Sequence, residues 1–208
     1  MTSSVRFWNK SAQRYARRPV ADEKTYQQKL AITREYLRPD MNVLEFGCGT
    51  GSTALLHAPH VKHYLATDLS PAMIDIAREK LRDSGITNVQ FETASLGDPG
   101  HQDQRFGAVL GLNILHLLDD PQAAIAQAFE LLEPGGVFVT STACLQDTRR
   151  YLKPVLFLAR ILGFAPPVTF LSRQQLDTDM ESAGFQIVHR WTPEAAPDTY
   201  FMVAVKPE

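Results

Sequence analysis

The sequence predicts an α/β fold in which helices cover both faces of a mostly parallel sheet. Short apolar strands alternate with helical segments between residues 43 and 142, and such alternation is typical of parallel sheets. The first strand leads directly into a glycine-rich stretch, VLEFGCGTG at 43–51, and the next strand ends in Asp68. Together these features indicate a nucleotide-like cofactor site at the carboxyl ends of the strands.

Two helices are expected before the first strand. Residues 5–17 and 22–37 have helical character and are separated by Arg18 and Pro19. Pro39 ends the second helix, because the residue before a proline disfavours helical backbone. Residues 1–40 are therefore expected to form a helical cap.

Residues 41–143 are expected to form the cofactor-binding core. The predicted strands are 43–47, 62–68, 88–93, 106–112 and 136–142, and the predicted helices are 52–57, 71–83 and 121–132. Ser70 and Asp120 each stand before a proline, which places a capping residue ahead of the first helical position.

The last third of the chain is expected to add an apolar lid and a closing hairpin. Residues 144–171 contain a long apolar helical stretch at 149–164, and residues 172–208 contain a helix at 173–183 followed by strands at 185–191 and 199–206. A chain of 208 residues is of ordinary length for one domain. One domain spanning 1–208 is therefore expected.

The glycine-rich stretch has the properties of an anion-binding loop. Gly47, Gly49 and Gly51 allow backbone dihedrals that are closed to other residues, so a ligand can approach bare backbone. The helix that follows directs free N–H groups and the positive end of its dipole at this loop. In a parallel sheet Asp68 lies beside it, where a carboxylate can accept hydrogen bonds from a ribose diol.

The spacing of the glycines differs from the dinucleotide fingerprint. That fingerprint, G-x-G-x-x-G, requires its third glycine at position 52, where this chain has Ser52. The pattern here is acidic-x-G-x-G-x-G, with Glu45 as the acid. In this pattern the chain resembles the class I S-adenosylmethionine-dependent methyltransferases, and within them the ubiquinone and menaquinone methyltransferase group.

The resemblance extends from about residue 43 to residue 140. The further matching segments are DLSP at 68–71 with Met73, FGAVLGLNILHLL at 106–118, and LEPGG at 132–136. It implies a Rossmann-like three-layer sandwich with a seven-stranded, mostly parallel sheet, an antiparallel last strand and an N-terminal helical cap. It also implies S-adenosyl-L-methionine as the cofactor.

The resemblance places the cofactor on a defined set of residues. The glycine loop would hold the methionine end, Asp68 the ribose, and Tyr15 would close over the cofactor from the cap, unless it is only an aromatic packed on the sheet. The full expected set is Tyr15, Glu45, Gly47, Cys48, Gly49, Thr50, Gly51, Asp68, Leu69, Met73, Ala94, Ser95, Leu96, Leu112 and Asn113.

Two positions depart from the family pattern. Many members carry an acid after the third strand that binds the adenine amino group, whereas this chain has Ser95, whose side chain or backbone would substitute. In the fourth strand Gly107 replaces a common aspartate.

His116 is the candidate catalytic base, because the loop after the fourth strand faces the transferred methyl group in such a sheet. The competing interpretation is a hydrogen-bonded histidine packed between leucines. His57, His60 and His63 lack a partnering acid at metal-ligand spacing, so they are expected on the solvated surface and no metal site is predicted.

The apolar stretch YLKPVLFLARILGF at 151–164 allows three interpretations. It could be a lid over an apolar acceptor pocket, an oligomer or core-packing helix, or an interfacial helix that touches anionic lipid transiently.

Composition indicates which binding partners and which cellular compartment are expected. The net charge of −2 offers no electrostatic footprint for nucleic acid, and the two cysteines form no C-x-x-C motif, which favours a reducing cytoplasm. No signal peptide and no span of roughly 20 apolar residues is present. A monomer or homodimer is expected.

The expected function is methyl transfer to a small, largely apolar acceptor that is quinone-like, phenolic or lipid-like. The alternatives are an NAD-dependent oxidoreductase and a non-catalytic cofactor-binding protein.

Overall fold

The fold is built on one mixed sheet with the strand order β3-β2-β1-β4-β5-β7-β6. The structure, a computed structural model, describes residues 3–101 and 103–208. Its strands are β1 Asn42–Phe46, β2 His63–Asp68, β3 Val89–Thr93, β4 Phe106–Leu112, β5 Leu132–Ala143, β6 Gln186–Trp191 and β7 Thr199–Val205. Its helices are α1 Ser3–Ala16, α2 Glu23–Glu35, α3 Ser52–His57, α4 Pro71–Ser84, α5 Pro121–Leu131, α6 Leu145–Thr148, α7 Lys153–Ile161 and α8 Arg173–Ser182.

The sheet has the predicted topology. Strands β1 to β5 pair in parallel, and β7 lies antiparallel between β5 and β6. The chain runs outward from β1 through β2 to β3 and then returns to β4 on the other side of β1. The strand order therefore reverses between β1 and β4, and a ligand crevice forms at the carboxyl ends of strands at such a point.

Helices cover both faces of the sheet, as expected for a three-layer sandwich. On one face α5 and α8 bury Ile125, Leu176 and Met180 against Phe138 of β5. On the other face the buried set includes Ala54 of α3 and Ile74 and Ala77 of α4. The Rossmann-like fold is thus confirmed.

The N-terminal helices cover the carboxyl edge of the sheet. Helix α1 packs on α4, where Ala12 meets Met73 and Ile76. The Ser70 hydroxyl donates a hydrogen bond of 2.6 Å to Asn9 Oδ1. Helix α2 contacts α3, so the two cap helices cover neighbouring parts of the same edge.

One strand begins earlier than predicted. β5 starts at Leu132 instead of residue 136, and the predicted helix before it ends at Leu131. Leu132 pairs with Phe106 across an irregularity in β4. Pairing with the neighbouring strand extends β5, which periodicity within the segment cannot show.

The apolar stretch after β5 is not one continuous helix. The predicted helix at 149–164 consists of a 3₁₀ turn at Arg150–Leu152 followed by α7, and α6 is a separate short helix before it. Pro154 stands in the first turn of α7, where a proline begins a helix but cannot continue an earlier one. Within the described residues, no helix has the length and apolar character needed to cross a bilayer.

Helix α7 exposes its apolar side chains. Phe157 is 63% exposed and Ile161 is 65% exposed, and α7 contains no buried residue. The core-packing interpretation of this stretch is therefore wrong, because a core helix buries one face.

Candidate functional site

A cavity of about 500 Å³ opens at the carboxyl ends of β1 to β4, between α1 and the loops that follow these strands. We call it the donor cleft. It lies at the reversal point of the strand order. The predicted cofactor residues that line it are Tyr15, Gly47, Gly49, Asp68, Leu69, Met73, Ala94, Ser95, Leu96, Leu112 and Asn113.

The three glycines of the loop after β1 share a left-handed backbone but have different surroundings. Their φ angles are +67° at Gly47, +55° at Gly49 and +74° at Gly51. A Cβ at Gly47 would meet Ile114 at 2.6 Å, and one at Gly51 would meet Phe91 at 2.6 Å. At Gly49 the nearest atom would be 3.9 Å away. Gly49 therefore leaves bare backbone facing the cleft, whereas the other two allow close packing.

Asp68 joins the loops after β1 and β2. Its Oδ2 accepts a hydrogen bond of 3.0 Å from the Gly49 N–H, and its Oδ1 accepts one of 2.8 Å from the Ser70 N–H. Burial raises the pKa of this carboxyl, and the two backbone N–H groups oppose that rise. The Asp68 carboxylate lines the donor cleft and is hydrogen-bonded to the loops after β1 and β2.

Aromatic side chains of α1 cover the cleft. The ring of Tyr15 is edge-on to that of Trp8, with centroids 6.1 Å apart, and both line the cavity. Trp8 is not among the residues that the sequence analysis predicted at the cofactor site. Its spacing of seven residues from Tyr15 places both on one helix face, which is the signal that could have identified it.

The loop after β3 forms the part of the cleft floor where the sequence predicts adenine recognition. Ala94, Ser95 and Leu96 line the cleft there, and Gln127 of α5 adds an amide that the sequence did not indicate. A Cβ at the unusual Gly107 would lie 2.7 Å from Met41 Cγ, so close packing accounts for a glycine at that position.

Four predicted residues lie beneath or behind the cleft and do not line it. Glu45 is buried and accepts a hydrogen bond of 2.9 Å from the Tyr64 hydroxyl. Burial raises the pKa of Glu45 to about 7. The Thr50 hydroxyl accepts from Lys80 Nζ, and Gly51 is the N-cap of α3.

Cys48 is the fourth of these residues. Its backbone N–H donates to Thr67 O at 2.9 Å, and its free thiol is buried. Burial raises the pKa of that thiol, so it stays protonated.

His116 lies in the 3₁₀ turn Leu115–Leu117 after β4. Its Nδ1 accepts a hydrogen bond of 3.4 Å from the Ala143 N–H, and burial lowers the pKa of the ring to about 4. The imidazole does not belong to the lining of the donor cleft. The packing interpretation accounts for these contacts, and catalysis by His116 stays a prediction.

The expectation for His57 was wrong. His60 and His63 are exposed, but His57 is 0% exposed at the end of α3. Burial lowers the pKa of its ring to about 3, and neither ring nitrogen has a hydrogen-bond partner. The packing of α2 on α3 buries it, which the local sequence does not show. Within the part of the chain that the structure describes, no group of His, Cys, Asp or Glu is arranged to hold a metal ion.

A second cavity, of about 210 Å³, lies between α2, α3 and the ends of β4 and β5. We call it the α2 cavity. The polar side chains that line it include those of Asp22, Tyr26, Lys29, His57, Asn113 and Ser141. It shares Leu112 and Asn113 with the donor cleft. The sequence did not indicate this cavity, because it depends on how the cap packs on the sheet.

Comparison with known proteins identifies a related family. A family model described as "Methyltransferase domain" matches residues 13–190. A highly reducing polyketide synthase from Pyricularia oryzae is 28% identical over 151 residues, which cover 65% of this chain and 5% of the synthase. A ubiquinone biosynthesis O-methyltransferase from Cereibacter sphaeroides is 31% identical over 158 residues, covering 72% of this chain and 62% of that enzyme.

The chain thus spans less than two thirds of the length of these curated relatives. Among solved structures, the N-methyltransferase NodS from Bradyrhizobium japonicum, in complex with S-adenosyl-L-homocysteine, superposes with a TM-score of 0.70. The match covers 97% of this chain and 99% of NodS at 18% identity. At 18% sequence identity, the similarity to NodS shows a shared fold and nothing further.

Proposed function

The chain belongs to the methyltransferase-domain family, and from this premise we propose that it transfers a methyl group from S-adenosylmethionine to a small, largely apolar acceptor. The observation that carries the proposal is the pairing of Gly49 and Asp68. The Gly49 backbone and the Asp68 carboxylate are hydrogen-bonded to each other and line the same cleft.

The residues of the donor cleft fit the chemistry of this donor. The open backbone at Gly49 accommodates the amino acid end, because a Cβ there would have no neighbour nearer than Tyr15 Cε1 at 3.9 Å. The Asp68 carboxylate suits a ribose diol, and the loop of Ala94 and Ser95 supplies a surface for the base. Trp8 and Tyr15 would cover the donor and exclude water.

The bound donor would supply a methyl group on a sulfonium. The chain's contribution is then alignment and exclusion of water, since proximity supplies most of the acceleration in a displacement of this kind. No nucleophile of the protein is required.

The proposed acceptor class is quinone-like, phenolic or lipid-like. Apolar side chains border the cleft beyond Asn113, namely those of Ile114, Leu117, Leu118 and Pro167. The name of the Cereibacter relative also supports a quinone-related acceptor.

Residues 144–171 are proposed as a lid over this acceptor. The end of the segment is attached to the loop after β4, because the Thr169 N–H donates to His116 O at 2.8 Å and the Thr169 hydroxyl donates to Leu118 O at 2.7 Å. Pro167 lines the donor cleft. Helix α7 lies beside this attachment, because Lys153 Nζ lies 5.9 Å from the centroid of the Phe170 ring.

Calorimetry with S-adenosylhomocysteine and with NAD tests the donor assignment. We expect saturable binding of S-adenosylhomocysteine and none of NAD, and we expect Gly49→Val to abolish that binding because its side chain would occupy the cleft. Gly135→Val is the matched control. Gly135 also has a left-handed backbone and a Cβ there would meet open space, but Gly135 does not line the cleft. Binding of NAD alone would overturn the proposal.

Turnover with a panel of quinols, phenols and lipid-like acceptors tests catalysis. Transfer of a labelled methyl group to one of them supports the proposal. Donor binding without transfer to any acceptor would favour a non-catalytic cofactor-binding protein.

A further inference from the structure

Resting on the function proposed above, we infer that the α2 cavity receives the hydroxyl end of the acceptor, while the apolar part of the acceptor lies against the side chains beyond Asn113. We infer that the cavity selects a weakly acidic hydroxyl, that of a phenol or an enol, which Lys29 and His57 bind.

The first observation is the position of the α2 cavity relative to the donor cleft. The donor cleft extends from the loop after β3 across β2 and β1 to the end of β4. The α2 cavity begins at the same end of β4, with Leu112 and Asn113, and continues to Ser141 of β5. A molecule in the α2 cavity would therefore occupy the next place along the sheet after the donor.

The junction between the two cavities has a fixed and unusual backbone. Asn113 has φ +58°, a left-handed conformation that residues other than glycine seldom adopt. Its N–H donates to Ser141 O at 2.7 Å, and its Oδ1 accepts from the Ser141 hydroxyl at 3.1 Å. Strain held by such contacts is typical of functional sites.

The second observation is an unpartnered polar group in the cavity wall. His57 is fully buried, lines the α2 cavity, and has no partner for either ring nitrogen. Leaving buried polar groups without hydrogen-bond partners is unfavourable. The hydroxyl of a bound molecule would provide the missing partner. Because burial keeps the pKa of the ring near 3, His57 is neutral and can accept or donate one hydrogen bond.

The third observation is a cation at the junction. Lys29 Nζ donates a hydrogen bond of 2.9 Å to the Ser141 hydroxyl, and an ammonium group has three N–H donors. Asp22 lines the cavity as well, but it is the N-cap of α2, seven residues before Lys29 and about 10 Å away along the helix axis. The Lys29 end of the cavity therefore favours an anionic oxygen.

The ionisation of Lys29 suits a weak acid better than a carboxylic acid. Burial lowers its pKa to about 8, with Asp22 opposing, so both its neutral and charged forms are populated near neutral pH. The neutral amine can take the proton of a phenol, which breaks the O–H bond and leaves a phenolate beside the new ammonium. Proton transfer is most effective between groups of similar pKa.

The experiment uses two probes with protein saturated by S-adenosylhomocysteine. 4-Nitrophenol absorbs visible light when ionised, so its bound ionisation state can be measured directly, and 4-nitroanisole is the analogue without a hydroxyl. We expect the protein to bind 4-nitrophenol preferentially and to increase its ionised fraction. Lys29→Met should weaken this binding roughly tenfold or more and abolish the spectral change. Lys24→Met is the matched control, because Lys24 is exposed on the same helix and does not line the cavity.

His57→Leu provides an independent measurement. It removes both unpartnered nitrogens, so we expect weaker 4-nitrophenol binding together with an unchanged or higher melting temperature. A residue with a purely structural role would show the opposite result, with lower stability and unchanged probe affinity.

The outcomes separate this inference from the proposed function. If the wild-type protein does not bind S-adenosylhomocysteine, the proposed function fails. If it binds S-adenosylhomocysteine but Lys29→Met matches wild type in probe affinity and spectrum, or 4-nitroanisole binds as tightly as 4-nitrophenol, the assignment of the α2 cavity is overturned.

Discussion

The Asp68 carboxylate accepts hydrogen bonds from the backbone N–H groups of Gly49 and Ser70. It therefore holds the loops after β1 and β2 together and presents a charge to the donor cleft. A carboxylate with both roles is more sensitive to substitution than one that only contacts a ligand.

Asp68→Ala is expected to weaken S-adenosylhomocysteine binding by about 1–3 kcal/mol, the range for hydrogen bonds to charged groups. Asp68→Asn keeps one carboxamide oxygen as an acceptor and should lose less. Calorimetry on both variants measures the difference. Equal affinity of Asp68→Ala and wild type would contradict the role given to this carboxylate.

Glu45 is expected to make stability depend on pH. Its pKa is about 7 in the folded protein and ordinarily 4.5, so the folded state binds more protons than the unfolded state between these values. Stability from this group is therefore lost as pH rises from 4.5 through 7.

Glu45→Gln should remove this dependence. We expect the free energy of unfolding of the variant, relative to wild type, to increase by about 1–3 kcal/mol between pH 5 and pH 8. Urea unfolding of the ligand-free proteins at both pH values measures it. A difference that does not change with pH would show that Glu45 stays ionised throughout.

Among the helices, α7 is unusual because its apolar side chains are exposed. Its charged residues are Lys153 and Arg160, and its sequence contains no Asp or Glu. Seven large apolar side chains between residues 151 and 164 are more than half exposed: Tyr151, Val155, Phe157, Leu158, Ile161, Leu162 and Phe164. With core packing excluded, the lid, an oligomer contact and a lipid contact are the remaining interpretations, and the lid is the one we propose.

Phe157→Asp is expected to raise the KM for the acceptor found in the turnover panel roughly tenfold, because an apolar lid contact worth about 1.4 kcal/mol would be lost. Donor affinity and melting temperature should not change, since surface substitutions usually alter stability by less than about 0.5 kcal/mol. Val188→Asp, at an exposed apolar position on the outer strand β6, is the control.

If the Phe157→Asp variant had the same KM for the acceptor as the wild-type protein, the lid proposal would be contradicted. Loss of self-association in gel filtration, or loss of binding to anionic vesicles, would then identify the oligomer or the lipid contact.

At the scale of the whole molecule, the donor cleft joins the cap to the sheet, because its walls come from α1 and from the loops after four strands. A ligand there should stabilise these parts together. At about 100 times its Kd, S-adenosylhomocysteine should add about 2.7 kcal/mol of stability.

Hydrogen exchange measures where this stabilisation occurs. We expect slower exchange in α1 and in residues 47–51, 68–70 and 94–97 when S-adenosylhomocysteine is present, with no change in the hairpin of β6 and β7. Protection confined to that hairpin would place the ligand elsewhere.

Much of this fold follows from local sequence. The alternation of strands and helices, the caps at Ser70 and Asp120 and the left-handed glycines all depend on neighbouring residues, and each is present in the structure. The lining residues Gly49 and Asp68 could also be predicted, because the carboxyl ends of adjacent parallel strands must lie side by side.

Local sequence could not distinguish the roles of the three loop glycines. Gly47 and Gly51 are required by Ile114 and Phe91, which approach from distant segments. The burial of Glu45 under the loop likewise depends on its contact with Tyr64 of β2.

By itself, the sequence determined the sheet, the donor loop and the carboxylate beside it, because short-range backbone preferences and the periodicity of apolar residues specify these features. The burial of His57, the exposure of α7 and the contact of Lys29 with Ser141, 112 residues away in the chain, become visible only in the folded molecule. The physical reason is that burial and long-range contacts depend on which surfaces pack together, and no local pattern records how the cap lies on the sheet.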